Sequence, residues 1–160
     1  DYGVTEGSDV VVITAGLRRK PDEQRLALIN RNVELFKGIL DSLKGVKLAD
    51  GAVVFVVSNP VDILTDLAVD SGVVSDPNRV IGLGTVLDTA RYRSLIADRF
   101  GLNALDVRAL MLGEHGDTMV PILSSATYGG VPLLSAPGID EASLKDGTEF
   151  TRKSGAEVIR

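Results

Sequence analysis

One side chain in this sequence is well suited to proton transfer. His115 stands in the run Gly113-Glu114-His115-Gly116-Asp117, and it is the only histidine of the 160 residues. Imidazole exchanges a proton near neutral pH, which makes it a candidate for acid/base chemistry. A lone histidine is more often a satisfied structural residue, so the surrounding sequence has to separate the two interpretations.

Three upstream segments supply further polar groups. Asp88 and Arg91 lie three residues apart, which places a carboxylate and a guanidinium on the same face of a predicted helix. The amide of Asn59 directly follows an apolar run, and residues 18–25 form a basic loop. Each segment also has an ordinary structural interpretation, as a helix-start charge, a surface ion pair, a helix cap or a solvated loop. None of them assigns a function alone.

The composition limits the classes of function. Hydrophobic residues make up 44% of the chain and aromatic residues 4%, so aliphatic side chains must pack a domain-sized core. The net charge of −5 argues against a nucleic-acid-binding surface, which needs a basic face. The sequence has no cysteine and no apolar run long enough to cross a bilayer. We therefore expect a cytoplasmic protein that binds neither nucleic acid nor membrane, and whose small basic cluster suits a small anion.

Short valine-rich runs predict strands that are buried on both faces. They lie at residues 9–14, 52–57 and 79–82. A stripe of apolar residues at helical spacing follows the first run, and it predicts a helix with Asp22 as N-cap and Gly45 as C′ residue.

Two more helices are bounded by similar signals. One is predicted to follow Ser58 or Asn59 as its cap, with Pro60 as its first residue. The next is predicted to follow Thr85 and to end at Gly101. Strands and helices that alternate at such short intervals indicate right-handed βαβ units and a parallel sheet.

Shorter elements are predicted for the second half of the chain. A fourth strand at residues 107–112 leads directly to His115. The other predicted elements are strand or hairpin at residues 119–123 and 126–134, with Gly129 and Gly130 as the turn, and a polar amphipathic helix at residues 140–160.

Neither end of the chain shows the expected boundary. A doubly wound dinucleotide-binding domain opens with a strand and a G-x-G-x-x-G turn, and nothing before Asp9 supplies them. The nearest match, Gly82-Leu83-Gly84, has no third glycine in register, and the last predicted helix reaches Arg160 without a stop signal. We therefore expect the chain to be the middle of a longer protein.

Taken together, the motifs resemble those of the lactate/malate dehydrogenase family. The matching stretches, in the family's order, are residues 11–16, 18–25, 58–64, 80–93 and 112–121. The resemblance implies an α/β fold. Residues 1–84 would be the second part of a domain with a doubly wound, Rossmann-type parallel sheet, and residues 85–160 would be the beginning of an α+β substrate domain. It also implies NAD as cofactor, no metal, and assembly as a homodimer or homotetramer.

The resemblance assigns roles to residues of the second half. His115 would take the hydroxyl proton of a 2-hydroxy acid as hydride leaves the carbon. Asp88 would accept a hydrogen bond from the other ring nitrogen, which fixes the tautomer and stabilises the imidazolium. Arg91 would bind the substrate carboxylate through two parallel hydrogen bonds, whereas the nearby Arg93 is interpreted as a surface ion pair.

In the basic loop, the resemblance makes Arg25 the residue that polarises the reacting carbonyl. Arg19 corresponds to the family's specificity position, where malate dehydrogenases carry arginine and lactate dehydrogenases typically carry glutamine. A cation there suits the second carboxylate of malate or oxaloacetate, and Arg18 is the neighbouring alternative. Movement of this loop about Gly16 would exclude water from the site.

Further residues are expected to contact ligands at the ends of the first two strands. Asn59 would bind a substrate oxygen and the cofactor, and it can also cap the following helix. Asn32 resembles a cofactor contact, with an ordinary polar helix position as an equal alternative. The other predicted cofactor contacts are Thr14, Ala15, Gly16 and Val57.

The predicted function is hydride transfer between NAD and a small 2-hydroxy acid, and Arg19 favours malate and oxaloacetate. The first alternative is a lactate dehydrogenase, because residues 84–88 and the sequence around His115 resemble that branch of the family. The second alternative is a non-catalytic folding or assembly module. Without the glycine turn, little in this chain would hold the adenosine half of the cofactor.

Overall fold

The computed structural model of the chain describes residues 1–18, 22 and 24–157, and it describes only the backbone of residues 25 and 153–157. The chain divides into two compact units, Asp1–Gly84 and Thr85–Arg160. Each unit has its own buried cluster of apolar side chains. The two units are therefore described one at a time.

The first unit is built on a three-stranded parallel sheet. Its strands are β1 (Val10–Ile13), β2 (Val53–Val56) and β3 (Val80–Gly82), in the order β1-β2-β3. Parallel pairing sets Val10 beside Val53 and Val54 beside Val80. The predicted α/β class and the parallel sheet are confirmed.

Two helices connect these strands, α1 (Arg25–Lys44) and α2 (Val61–Ser71). Their apolar side chains pack with one face of the sheet in a buried cluster. The cluster consists of Ile13, Phe36, Leu40, Leu43, Val54, Val56, Val61, Leu64 and Ala68. Because side chains alternate along a strand, the apolar residues between these positions point to the opposite face. That face is partly open, since Val10 and Val12 are 58% and 54% exposed, so the prediction that this strand is buried on both faces is wrong.

Two predicted helix starts differ from the structure. Asp22 has a φ of 62°, in the left-handed region, whereas an N-cap residue is normally extended; α1 begins three residues later, after Gln24. The prediction that Pro60 is the first residue of α2 is also wrong. Pro60 has an extended ψ of 112°, so the helix begins at Val61, and the Asn59–Pro60 peptide bond is cis.

The second unit begins with α3 (Val86–Phe100), which has Thr85 as N-cap and Gly101 after its last residue. Short antiparallel strands follow, and α4 (Glu141–Glu157) ends the described chain. The strands are β4 (Val107–Arg108), β5 (Met111–Leu112), β6 (Val120–Pro121), β7 (Thr127–Tyr128) and β8 (Val131–Pro132). They form a β4-β7-β8 sheet and a separate β5-β6 hairpin.

The prediction of a single strand over residues 107–112 is therefore wrong. Its first residues pair with β7 and its last residues with β6, so the segment joins two different sheets. Between them, the carbonyl of Ala109 accepts a hydrogen bond from Arg93 Nε at 2.9 Å. This bond replaces the ladder partner that a continuous strand would have had. The hairpin predicted around Gly129 and Gly130 is confirmed as β7-β8.

The core of the second unit lies between α3, α4 and these strands. Tyr92 is its largest fully buried side chain, and the Tyr92 hydroxyl donates to the Leu144 carbonyl at 3.1 Å. Burial raises the pKa of Tyr92, and a hydrogen bond with Thr148 partly opposes that effect. Tyr92 therefore fastens α4 to the helix that carries Asp88 and Arg91.

Candidate active site

His115 and Asp88 are in direct polar contact. His115 Nδ1 lies 2.7 Å from Asp88 Oδ2, and the Asp88 side chain is only 3% exposed. A carboxylate only accepts hydrogen bonds, so Nδ1 carries the proton and Nε2 is the basic nitrogen of the neutral ring. This is the arrangement in which a carboxylate fixes one tautomer and stabilises the imidazolium.

The two partners reach each other from different elements. Asp88 is in the first turn of α3, and His115 is in the loop of residues 113–119 between β5 and β6. The loop turns at Gly113, whose φ of 105° is in the region that L side chains rarely adopt. Thr118 Oγ1 donates to Glu114 Oε2 at 3.0 Å across the loop. The glycines that flank the histidine in sequence thus belong to a tight turn that presents it.

Arg91 lies one turn further along α3. Its Nη1 is 3.8 Å from Asp88 Oδ1, and its side chain is 28% exposed. That distance is an electrostatic contact and is longer than a hydrogen bond, so the contact with Asp88 does not use the N–H donors of Arg91. The Asp88 carboxylate thus lies between an imidazole and a guanidinium, with one oxygen toward each. A guanidinium beside an acid/base pair is suited to binding an anionic substrate.

Two threonines, one at the N-cap of α3 and one in its first turn, hold the strand that leads to His115. Thr85 was predicted only as a helix cap; it occupies the N-cap position but makes no capping bond, and its hydroxyl donates to the Met111 carbonyl at 2.6 Å. Thr89 Oγ1 accepts the Met111 N–H at 2.9 Å. Sequence analysis missed Thr89. The available signal was a pair of threonines four residues apart on both sides of Asp88.

Two arginines fix the backbone near the same loop. Arg152 on α4 donates to the Met119 carbonyl from Nε at 3.1 Å and from Nη2 at 2.6 Å. Arg93 donates to a backbone carbonyl, that of Ala109, so its interpretation as a surface ion pair is wrong. Nothing in the local sequence indicated either bond, since the partners lie 33 and 16 residues apart.

In the first unit, the predicted ligand-binding residues follow neighbouring parallel strands. Thr14, Ala15 and Gly16 are exposed after β1, and Asn59 is exposed after β2. Ligands of open α/β sheets bind at this carboxyl edge. Asn59 Oδ1 accepts the Val61 N–H at 3.3 Å, but the N-cap position of α2 belongs to Pro60, so the prediction that Asn59 caps this helix is wrong.

The backbone after β1 is fixed by two buried side chains. Ser58 Oγ donates to the Ala15 carbonyl at 2.6 Å. Asn32 is 6% exposed, and its Oδ1 accepts the Leu17 N–H at 2.7 Å. Asn32 therefore holds the loop, and its contact with a cofactor stays a prediction. Sequence analysis missed Ser58 in this role, having considered it only as a helix cap.

The remaining predicted residues are in or next to the basic loop. Arg19 lies outside the described residues. Arg25 is the first residue of α1, and its side chain also lies outside the described part. The backbone of Arg18 and of Val57 is described, but the roles proposed for both, and for loop movement at Gly16, stay predictions.

The first unit fits a dinucleotide at its carboxyl edge. Residues 14–16 are exposed, and Gly16 has no side chain that would keep a ligand away from the backbone. Hydrogen bonds from Ser58 and Asn32 fix this segment. Close approach of a nucleotide requires these features. Within residues 1–18, 22 and 24–157, no group of acidic or histidine side chains could hold a metal ion. No helix of that part is long and apolar enough to cross a membrane.

The first unit thus presents a parallel α/β sheet with an exposed carboxyl edge, and the second unit presents a histidine–aspartate pair beside an arginine. Residues 1–82 match the lactate/malate dehydrogenase NAD binding domain, and residues 85–160 match the lactate/malate dehydrogenase alpha/beta C-terminal domain. The chain belongs to the lactate/malate dehydrogenase family.

Curated relatives carry both names of the family. The chain is 40% identical to a malate dehydrogenase of Salinibacter ruber over 99% of its length, and 42% identical to an L-lactate dehydrogenase of Synechococcus sp. over 96%. It spans 49% of the first relative and 50% of the second. The chain therefore spans about half the length of the curated relatives it matches.

Solved structures give the same result. The minor L-lactate dehydrogenase from Enterococcus mundtii matches with a TM-score of 0.91 at 32% identity, over 99% of this chain and 51% of that one. The malate dehydrogenase from Picrophilus torridus matches with a TM-score of 0.88 at 33% identity, over 99% of this chain and 47% of that one. The family is thus established, and the substrate is not resolved between malate and lactate.

Proposed function

We propose that this chain is part of an oxidoreductase that transfers a hydride between NAD and a small 2-hydroxy acid. The observation that carries the proposal is the 2.7 Å contact between His115 Nδ1 and Asp88 Oδ2, next to Arg91 on the same helix. Oxidation of a hydroxy acid releases a proton from oxygen and a hydride from carbon. The cofactor, when bound, accepts the hydride, so the protein has to supply only the proton acceptor and the substrate contacts.

His115 is the proton acceptor in this scheme. With Nδ1–H held by Asp88, the lone pair of Nε2 takes the hydroxyl proton as the carbonyl forms, and the imidazolium returns it in the reverse reaction. Asp88 stabilises the imidazolium because its buried charge faces the ring directly. Arg91 binds the carboxylate next to the reacting carbon, which orients the substrate toward the histidine.

We further propose malate and oxaloacetate as the substrates. The support is Arg19, the arginine at the family's specificity position, together with Arg25 in the same basic segment. A second substrate carboxylate in a closed site needs a cation. Leaving it unpaired costs about 3–5 kcal/mol, which corresponds to a discrimination on the order of 10²–10⁴.

Steady-state kinetics on the whole protein test this assignment. We expect a higher kcat/KM for oxaloacetate than for pyruvate, and Arg19→Gln should reverse the preference. Arg18→Gln is the matched control, because it removes the same charge one residue away and should leave the preference intact. Pyruvate as the better substrate before mutation would refute the malate assignment. Loss of the preference in Arg18→Gln alone would move the specificity role to Arg18.

The alternative 2-hydroxy acid is lactate. It is favoured by the lactate-type sequence at residues 84–88 and by relatives named L-lactate dehydrogenase at up to 46% identity. The same kinetic comparison separates the two substrates.

A non-catalytic folding or assembly module is the alternative from a different class. NADH binding by the 160-residue chain tests it. A folded chain that does not bind NADH would support the module for this segment.

We propose a homodimer or homotetramer for the whole protein, to be checked by light scattering.

A further inference from the structure

The hydroxyl of Thr89 connects the helix that carries Asp88 to the strand that leads to His115. Thr89 is 8% exposed and directly follows Asp88 in α3. Its Oγ1 accepts the Met111 N–H at 2.9 Å and also lies 3.3 Å from the Met111 carbonyl oxygen, to which it donates. One side chain therefore contacts both polar groups of a single strand residue.

Met111 needs such a partner because its own hairpin cannot supply one. In the β5-β6 ladder, Ile122 N–H donates to the Leu110 carbonyl at 2.9 Å, and Met111 is paired with Pro121. Residues of an antiparallel pair alternate between hydrogen-bonded and non-bonded positions, so Met111 occupies a non-bonded one. Proline has no N–H to donate in any case. Met111 is fully buried, and without the threonines its N–H and carbonyl would lack partners.

The residues joined by this connection are close in the chain to both members of the acid/base pair. Met111 precedes His115 by four residues, and Asp88 is the chain neighbour of Thr89. The far end of the histidine loop is held separately, where Arg152 donates to the Met119 carbonyl. The end of the loop that follows β5 is held by Thr89, whose side chain belongs to the same helical turn as Asp88. Thr85 also donates to the Met111 carbonyl there.

We propose that Thr89 is a positioning residue for the acid/base pair: its hydroxyl fixes β5 against α3 at the spacing that keeps His115 Nδ1 within hydrogen-bond distance of Asp88. The kinetic consequence rests on the proposed function, because it matters only if His115 transfers the proton. The geometric consequence does not, because it concerns the tautomer of the ring.

The tautomer can be read directly by NMR. His115 is the only histidine of the chain, so its ring nitrogens give a single pair of ¹⁵N signals in the 160-residue protein. The wild-type chain should show a protonated Nδ1 in the neutral ring. Thr89→Val, which keeps the shape and removes the hydroxyl, should lose that preference and shift toward the Nε2–H form. Thr89→Ser should keep it.

Thr148→Val is the matched control. Thr148 is also buried, at 4% exposed, in the same unit, but its hydroxyl donates to the Leu144 carbonyl of its own helix and bonds Tyr92, not the strand that leads to His115. We expect this variant to retain the wild-type tautomer. If Thr89→Val does not fold, Thr89→Ser and Thr89→Ala replace it, since both lack the methyl group and differ only in the hydroxyl.

Kinetics on the whole protein supply the second measurement. Displacing a catalytic group by about 1 Å costs up to about 100-fold, so Thr89→Val should lower kcat by about 10- to 100-fold. KM should change little, because the contacts to the ground-state substrate remain. A folded Thr89→Val protein with the wild-type tautomer would overturn the proposal, as would the same tautomer change in Thr148→Val. If Thr89→Val changes the tautomer but the wild-type whole protein has no dehydrogenase activity, Thr89 remains a positioning residue and the proposed function is refuted instead.

Discussion

Replacement of Asp88 by asparagine tests the central pair of the site most directly. The substitution keeps the size of the side chain but removes a charge that is 3% exposed and lies 2.7 Å from His115 Nδ1. Asparagine can present either its carbonyl or its amino group to the ring. Both tautomers then become populated, and the imidazolium that forms during the reaction loses its counter-charge.

The magnitude follows from the burial of the pair. The imidazolium that forms during the reaction makes an ion pair with Asp88, whose side chain is 3% exposed, and removing one partner of a buried, hydrogen-bonded ion pair costs about 3–5 kcal/mol. At 1.36 kcal/mol for each factor of ten in rate, this corresponds to about 10²- to 10⁴-fold. The Arg91 contact at 3.8 Å adds to the loss, because the same carboxylate serves both cations. We therefore expect Asp88→Asn to lower kcat/KM by about 10²- to 10⁴-fold.

The assay is the oxidation of NADH by oxaloacetate in the whole protein, with thermal unfolding measured in parallel. Asp98→Asn is the matched control, because Asp98 is exposed on the same helix and should keep full activity. An active, folded Asp88→Asn protein would show that the carboxylate does not support proton transfer. Equal losses in both variants would show that the effect comes from the helix and not from the pair.

Two further predictions concern one unit each. A Cβ at residue 82 would clash with Thr65 Oγ1, so Gly82→Ala should destabilise the first unit by about 1–3 kcal/mol in urea unfolding. Thr65→Ala in the same chain should restore most of that loss, and a Gly82→Ala chain as stable as wild type would contradict the clash. Tyr92→Phe removes the bond to the Leu144 carbonyl and should cost about 0.5–1.5 kcal/mol at neutral pH. Because burial raises the pKa of Tyr92 above its unfolded value of 10.0, its contribution is complete below that pH and is lost as the pH rises through the folded value. Wild type should therefore lose stability above that pH more steeply than Tyr92→Phe, and parallel curves would refute this account.

Much of the fold could be predicted because it follows from local patterns. Valine-rich runs marked β1 and β2, a stripe of apolar residues marked α1, and paired glycines marked the β7-β8 turn. The errors lie where a local signal had more than one outcome. Asp22 is a good N-cap residue, but it is equally able to adopt the positive φ that it has in the structure. Residues 107–112 have strand character throughout, but their partners divide them between two sheets.

For the candidate site, the sequence by itself determined which groups were available: a lone imidazole in a glycine-rich turn, and a carboxylate and a guanidinium one helical turn apart. Only the tertiary structure decided that the imidazole and the carboxylate, 27 residues apart, meet at 2.7 Å. It also decided that Thr89 bonds Met111 across 22 residues and that Arg152 bonds Met119 across 33. The physical reason is range. Helix and strand patterns reflect backbone preferences over a few residues, whereas these bonds depend on how a helix and a hairpin pack, which no short window of sequence contains.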